Sequence, residues 1–165
     1  MKKLFEIISR KKAGFTMLEM MIVVVVIGIF AAMATPMLFS SIPKLKSRAE
    51  ARNILSMLRI ARGRAVSENL QYGVYLDTSN KQYFIFMDSV NPSLSTYDVG
   101  DSIVMGPQIM ERDVVFASQS FGNNCVVFMP NGGASQSGSV TVNTYSSSAP
   151  YTVSVLASTG KARMQ

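Results

Sequence analysis

Apolar positions along this chain follow three successive patterns, each predicting a different kind of element. From Met20 to Met33 every residue is apolar apart from one glycine, and the stretch continues through Ala34, Thr35, Pro36, Met37, Leu38 and Phe39. That is about 20 residues, enough for a helix to cross a bilayer core of roughly 30 Å. From Lys44 to Asn69 proline is absent, and apolar residues recur at Leu45, Ala49, Leu55, Leu58, Ala61, Ala65 and Val66. Spacings of three and four, with one gap of six, predict an amphipathic helix. From Tyr72 onward the texture is of short β-prone runs: residues 73–76, 82–87, 103–105, 114–117, 126–129, 140–143 and 152–156. Turn signals separate them, among them Asp77-Thr78-Ser79-Asn80-Lys81, Asn91-Pro92, Gly106-Pro107 and Pro130-Asn131-Gly132-Gly133. A long helix followed by a run of strands predicts an α+β fold, with an antiparallel sheet covering the apolar stripe of the helix.

Charge changes the picture at the N-terminus. The formal net charge is +6, but five of the 16 basic residues (Lys2, Lys3, Arg10, Lys11, Lys12) precede Gly14, opposed there by Glu6 alone. Without that segment 11 basic and 9 acidic residues remain, a net charge of +2, so the basic whole-chain balance is a poor guide to partners. A secretory signal places its apolar stretch before the cleavage site. Here the order is reversed: a basic leader and the junction Ala13-Gly14-Phe15 come first, and the apolar run follows. A cut after Gly14 removes the charges and keeps the span. Cations ahead of the span place the amino terminus in the cytoplasm and the bulk of the chain outside it, with Lys44, Lys46 and Arg48 weakening the asymmetry.

Glu19 stands at the start of the apolar run, where an unpaired carboxylate costs several kcal/mol in hydrocarbon and commonly marks a function. Cleavage after Gly14 leaves a cationic α-amine on Phe15, one helical turn before Glu19. The two charges can pair within one chain or between neighbouring chains; alternatively Glu19 simply reaches headgroup water.

The run Lys12-Ala13-Gly14-Phe15-Thr16-Met17-Leu18-Glu19, followed by a valine-rich apolar helix, resembles the signal of type IV pilins and type II secretion pseudopilins. The resemblance implies that a prepilin peptidase cuts after Gly14 and methylates Phe15, and that Glu19 docks the subunit onto the terminus of its neighbour. It implies partners as well: other pseudopilins or pilins through the N-terminal helix, the peptidase, an inner-membrane assembly platform and membrane lipid. Pro36 falls where pilins commonly carry a helix-bending proline, and a proline inside a helix removes one backbone bond and favours a kink. A simple helix irregularity near the membrane surface is the other reading. The organisation expected is a leader over residues 1–14, a transmembrane and assembly helix over 15–39, an amphipathic helix over 40–71 and a β-rich periplasmic domain over 72–165.

The second half resembles the GspH/FimT-like branch of minor pseudopilins and minor pilins. The residues that carry this are Val127-Phe128-Met129-Pro130-Asn131-Gly132-Gly133-Ala134 and Ser158-Thr159-Gly160-Lys161-Ala162-Arg163. In some fimbrial members a closing Gly-Arg-x-Arg-aromatic motif is implicated in DNA contact. Its counterpart here is Gly160-Lys161-Ala162-Arg163-Met164, which makes Lys161 and Arg163 candidate phosphate contacts. Methionine in place of the aromatic removes a stacking surface for bases. A final turn and strand with solvated charges is the alternative.

The remaining chemistry argues against catalysis. The sequence has no histidine and a single cysteine, Cys125, so no internal disulfide and no histidine-based metal or catalytic site can form. Gly132-Gly133 lacks the strand-glycine-helix setting and the lysine of a phosphate loop. No cofactor is expected. Cys125 reads as a small buried core residue. The basic residues of the amphipathic helix, from Lys44 to Arg64, read first as its solvated side and otherwise as a surface for nucleic acid, lipid headgroups or an acidic neighbour. The expectation is a structural subunit of a type II secretion pseudopilus, with a minor type IV pilin that binds DNA, or a plain pilus subunit, as the alternatives. The single cysteine argues against a major pilin, which often staples a C-terminal loop with two.

Overall fold

The computed structural model describes residues 14–165, save the side chains of 35–40 and 147–149. The leader cations Lys2 to Lys12 lie outside the described residues. The chain divides into two units, Met1–Phe39 and Ser40–Gln165. Helix α1 (Met17–Glu68) contributes to both, and eight strands follow it: β1 (Tyr72–Asp77), β2 (Gln82–Met87), β3 (Ser102–Ile109), β4 (Val114–Gln119), β5 (Cys125–Phe128), β6 (Gly138–Thr144), β7 (Ser147–Leu156) and β8 (Lys161–Met164).

In the first unit Thr16 starts the helix. Its Oγ1 accepts the backbone N–H of Glu19 at 3.2 Å and its carbonyl accepts that of Met20 at 3.2 Å, so a threonine satisfies donors that a helix start leaves open. The 18 residues Met17–Ala34 are helical, apolar enough to cross a membrane and exposed among the described residues. At 1.5 Å per residue they span about 27 Å.

In the second unit the strands form two antiparallel sheets, ordered β3-β2-β1-β5 and β4-β6-β7-β8, where the sequence suggested a single sheet. Strand β5 pairs with the first four of the six residues of β1, from Tyr72 opposite Phe128 to Tyr75 opposite Cys125. The chain then leaves through the Pro130–Gly133 turn and builds the second sheet around the long hairpin β6–β7, in which Thr141 faces Thr152 with their hydroxyls 3.0 Å apart. Lys161–Met164, read as a closing turn and strand, is the outer strand of that sheet.

Both sheets turn apolar side chains toward α1. Ala51, Ile54, Met57, Leu58, Ala61 and Ala65 of the helix are buried in one cluster with Val74, Leu76, Ile85 and Phe128 of the first sheet and Val114, Val140, Val142, Val153 and Val155 of the second. The helical stripe is therefore rotated from the one read in the sequence. Leu45, Ala49 and Val66 are exposed, whereas Ser47 and Glu50 are buried. Those two polar groups are satisfied: Ser47 Oγ donates to the Pro43 carbonyl at 2.9 Å, and the buried Tyr83 hydroxyl donates to Glu50 Oε2 at 3.1 Å. Hydropathy alone undervalues such positions because it cannot see their partners.

Strands β1, β2 and β5 of the first sheet are buried on both faces, while the edge strand β3 is largely exposed. Period-2 alternation sends Phe84, Phe86, Cys125 and Val127 to the side away from α1, where Tyr97 from the long β2–β3 connection covers them. The Tyr97 ring centroid lies 5.1 Å from those of Tyr75, Phe84 and Phe86. Gly73 sits opposite Phe86, and a Cβ there would come within 2.3 Å of the ring, so only glycine lets the ring lie flat across β1.

Candidate functional site

Two places bring sequence-predicted residues together, and a third feature went unread in the sequence. The first is the start of α1. Gly14 and Phe15 precede the helix, and Phe15 is 72% exposed. Glu19 occupies the first turn with its backbone held by Thr16, while its exposed carboxylate meets no donor or cation among the described residues. Thr16-Met17-Leu18-Glu19 has the spacing of a capping box, a signal present in the sequence that fixes the helix start one residue after the proposed new terminus. From Met20 to Ile29 the large apolar side chains are all exposed, so an apolar surface several turns long begins beside that carboxylate. Pro36 lies within α1, but its side chain is outside the described residues.

The second place is formed by α1 and β8. Lys161 and Arg163 lie two apart on an outer strand, both exposed with buried Ala162 between them, so they share the sheet face turned away from the core. Gly160 enters β8 at φ +58°, and its N–H donates to the Leu156 carbonyl at 2.8 Å. A Cβ there would lie 2.2 Å from the Gly132 carbonyl oxygen and 3.1 Å from Arg62 Nε. Arg62 Nε in turn donates to that same carbonyl at 2.9 Å. The result is a groove of about 580 Å³ lined by Arg59, Arg62 and Lys161 together with Gly63, Val66 and Ala162. Lys161 is thus joined by two arginines of the helix, while Arg163 is not among the lining residues. The pairing of helix cations with the C-terminal run joins residues about 100 apart, which no local pattern reports.

The third feature is the acidic β2–β3 connection. Asp101, itself buried, gathers it: Oδ1 accepts the N–H groups of Ser89 at 2.9 Å and Val90 at 3.1 Å, and Oδ2 accepts that of Asp98 at 2.9 Å. Burial alone would raise the Asp101 carboxyl, but these donors outweigh it and hold it below its usual range. Asp88 is buried with neither carboxylate oxygen partnered, and burial, then the charges of Asp101 and Asp98, push it up to about 6. Cys125 lies beneath, fully buried, its thiol also pushed up by burial. Among the described residues no cluster of three or more acidic, cysteine or histidine side chains is placed to hold a metal ion.

A helix apolar on its outside at one end, and packed on two antiparallel sheets at the other, defines a pilin-like subunit. Residues 50–159 match the family described as "Type II transport protein GspH", and residues 9–35 match the "Prokaryotic N-terminal methylation motif". The chain belongs to the GspH family. No curated protein sequence matches it. Among solved structures it is similar to the minor pseudopilin EpsH from the type 2 secretion system of Vibrio cholerae, at 9% identity and a TM-score of 0.58 over 73% of this chain and 96% of that one. It is similar as well to the type IV minor pilin FimU of Pseudomonas aeruginosa, at 13% identity and a TM-score of 0.56 over 74% of this chain and 90% of that one. At such identities the likeness is one of fold.

Proposed function

We propose that the protein works as a minor pseudopilin, a structural subunit of a type II secretion pseudopilus, and not as an enzyme. The observation that carries this is the unburied apolar helix Met17–Ala34, joined to a methylation motif on one side and a GspH region on the other. An apolar helix surface with nothing to cover it needs lipid or other helices. In the inner membrane, with the leader in the cytoplasm and the C-terminal unit in the periplasm, lipid covers it. In a filament, the corresponding helices of other subunits do.

Prepilin peptidase cleaves between Gly14 and Phe15 and methylates the Phe15 amine. Removing the cations frees the helix to leave the bilayer. The new ammonium and the Glu19 carboxylate then neutralise one another between adjacent subunits, and a buried pair in a poorly solvated setting sets register, because a misplaced subunit leaves both charges unpaired. The assembly platform supplies the point of insertion. Cross-linking tests this reading: single cysteines introduced in turn along residues 20–29 should cross-link, in cells with an intact secretion machine, to other pseudopilins. Cross-links to pilus subunits instead would assign the protein to a type IV pilus, and labelling by lipid alone would remove the filament role.

A further inference from the structure

The C-terminal unit has an unbalanced surface. Among the described residues its ion pairs are those of Lys46 with Glu111 and Asp113, and of Arg64 with Glu68. Among the described residues Arg59, Arg62 and Lys161 have no carboxylate within ion-pair distance, although they line one groove. The acids are used elsewhere. Glu50, Glu68, Asp77, Asp101, Glu111 and Asp113 each bond within the chain. Asp88 is buried, and so is one oxygen of Asp98. In a second copy the described acids of the C-terminal unit are thus already bonded or buried, and the exposed, unpartnered Glu19 lies on the apolar helix Met17–Ala34, so the counter-charge of the groove comes from a different molecule.

The groove also selects the kind of anion. Its apolar lining is aliphatic, with Val66 52% exposed, and no aromatic side chain is among the lining residues. A nucleic acid held by this end of the molecule would need cations spaced along a phosphate stripe and a surface for bases, yet Arg163 falls outside the lining. The Arg62 guanidinium is held in place by the Gly132 carbonyl, leaving its remaining N–H groups as a fixed fork suited to a carboxylate.

We propose that this groove docks an acidic, aliphatic segment of another protein subunit, with a carboxylate between Arg59, Arg62 and Lys161 and a neighbouring aliphatic side chain on Val66. This rests on the structural-subunit reading and adds to it a lateral contact made by the C-terminal unit. Complementary charge of this kind chooses among partners more than it adds raw affinity.

The test uses the full chain in detergent micelles and fluorescence anisotropy of a labelled peptide of alternating Glu and Leu. The same peptide with Gln for Glu and a short labelled DNA duplex are the comparisons. The Glu peptide should bind about tenfold more tightly than the Gln peptide. Arg59→Glu and Lys161→Glu should each weaken it about tenfold with circular dichroism unchanged, while Arg163→Glu leaves it alone. Tighter binding of the duplex, sensitive to Arg163→Glu, would overturn the proposal in favour of nucleic acid. Equal binding by all variants, or none by any, would overturn it outright. Leader cleavage and Phe15 methylation, read by mass on the same preparations, do not depend on the groove, so failure here is distinguishable from failure of the structural-subunit reading.

Discussion

Arg62 reaches across 70 residues of sequence to donate its Nε–H to the Gly132 carbonyl, 2.9 Å away, fastening the helix to the turn after β5. Gly160 closes over the same carbonyl, so one backbone oxygen organises helix, turn and last strand. Arg62→Ala removes a charge-assisted bond at a half-buried acceptor and should destabilise the C-terminal unit by about 1 to 2 kcal/mol. Thermal melts of the wild type and variant check this, and an unchanged Tm would make the contact incidental.

Gly160→Ala should be worse. An alanine at φ +58° bears a left-handed penalty of about 1 to 2 kcal/mol, and its Cβ collides with backbone rather than with a movable side chain. A loss of about 2 to 3 kcal/mol is expected in urea unfolding, and a loss below about 1 kcal/mol would mean that the turn can open at little cost.

Asp88 gives the unit a defined pH response. Its carboxyl lies at about 6 in the folded protein against an ordinary value of 3.8, so folding favours the proton. The contribution is fully present below about pH 4 and is lost as pH rises through 6, when a buried charge faces Asp101 and Asp98. Asp88→Asn should therefore raise stability at pH 7 by about 1 to 2 kcal/mol and change little at pH 4. A variant that melts lower than the wild type at pH 7 would contradict the assignment.

Glu19→Gln should leave cleavage after Gly14 intact while sharply reducing the fraction of protein recovered cross-linked to other subunits. The carboxylate is exposed and has no partner among the described residues, so its partner is expected from processing or assembly. Wild-type recovery of cross-linked protein would remove Glu19 from the assembly step.

Much of this was legible in the sequence because the signals are local. The apolar run after Glu19, the three- and four-residue spacing of Leu58, Ala61 and Ala65, and the strand alternation after Tyr72 each report one element. The rest depends on distant partners. Glu50 is buried because Tyr83 meets it, and Ala49 is exposed because the helix turns its next position inward. The two-sheet division and the Arg62–Gly132–Gly160 junction join segments far apart in the chain. Thr16 is the exception, since its capping spacing with Glu19 stands openly in the sequence.

The central claim is that the N-terminus is processed so that its helix can enter a filament. Intact-mass measurement of the membrane-extracted protein, from cells with and without prepilin peptidase, tests it most directly. The account predicts loss of Met1 to Gly14 and one added methyl on Phe15 only where the peptidase is present. An uncut chain in both strains would contradict it and leave an ordinary single-span membrane protein.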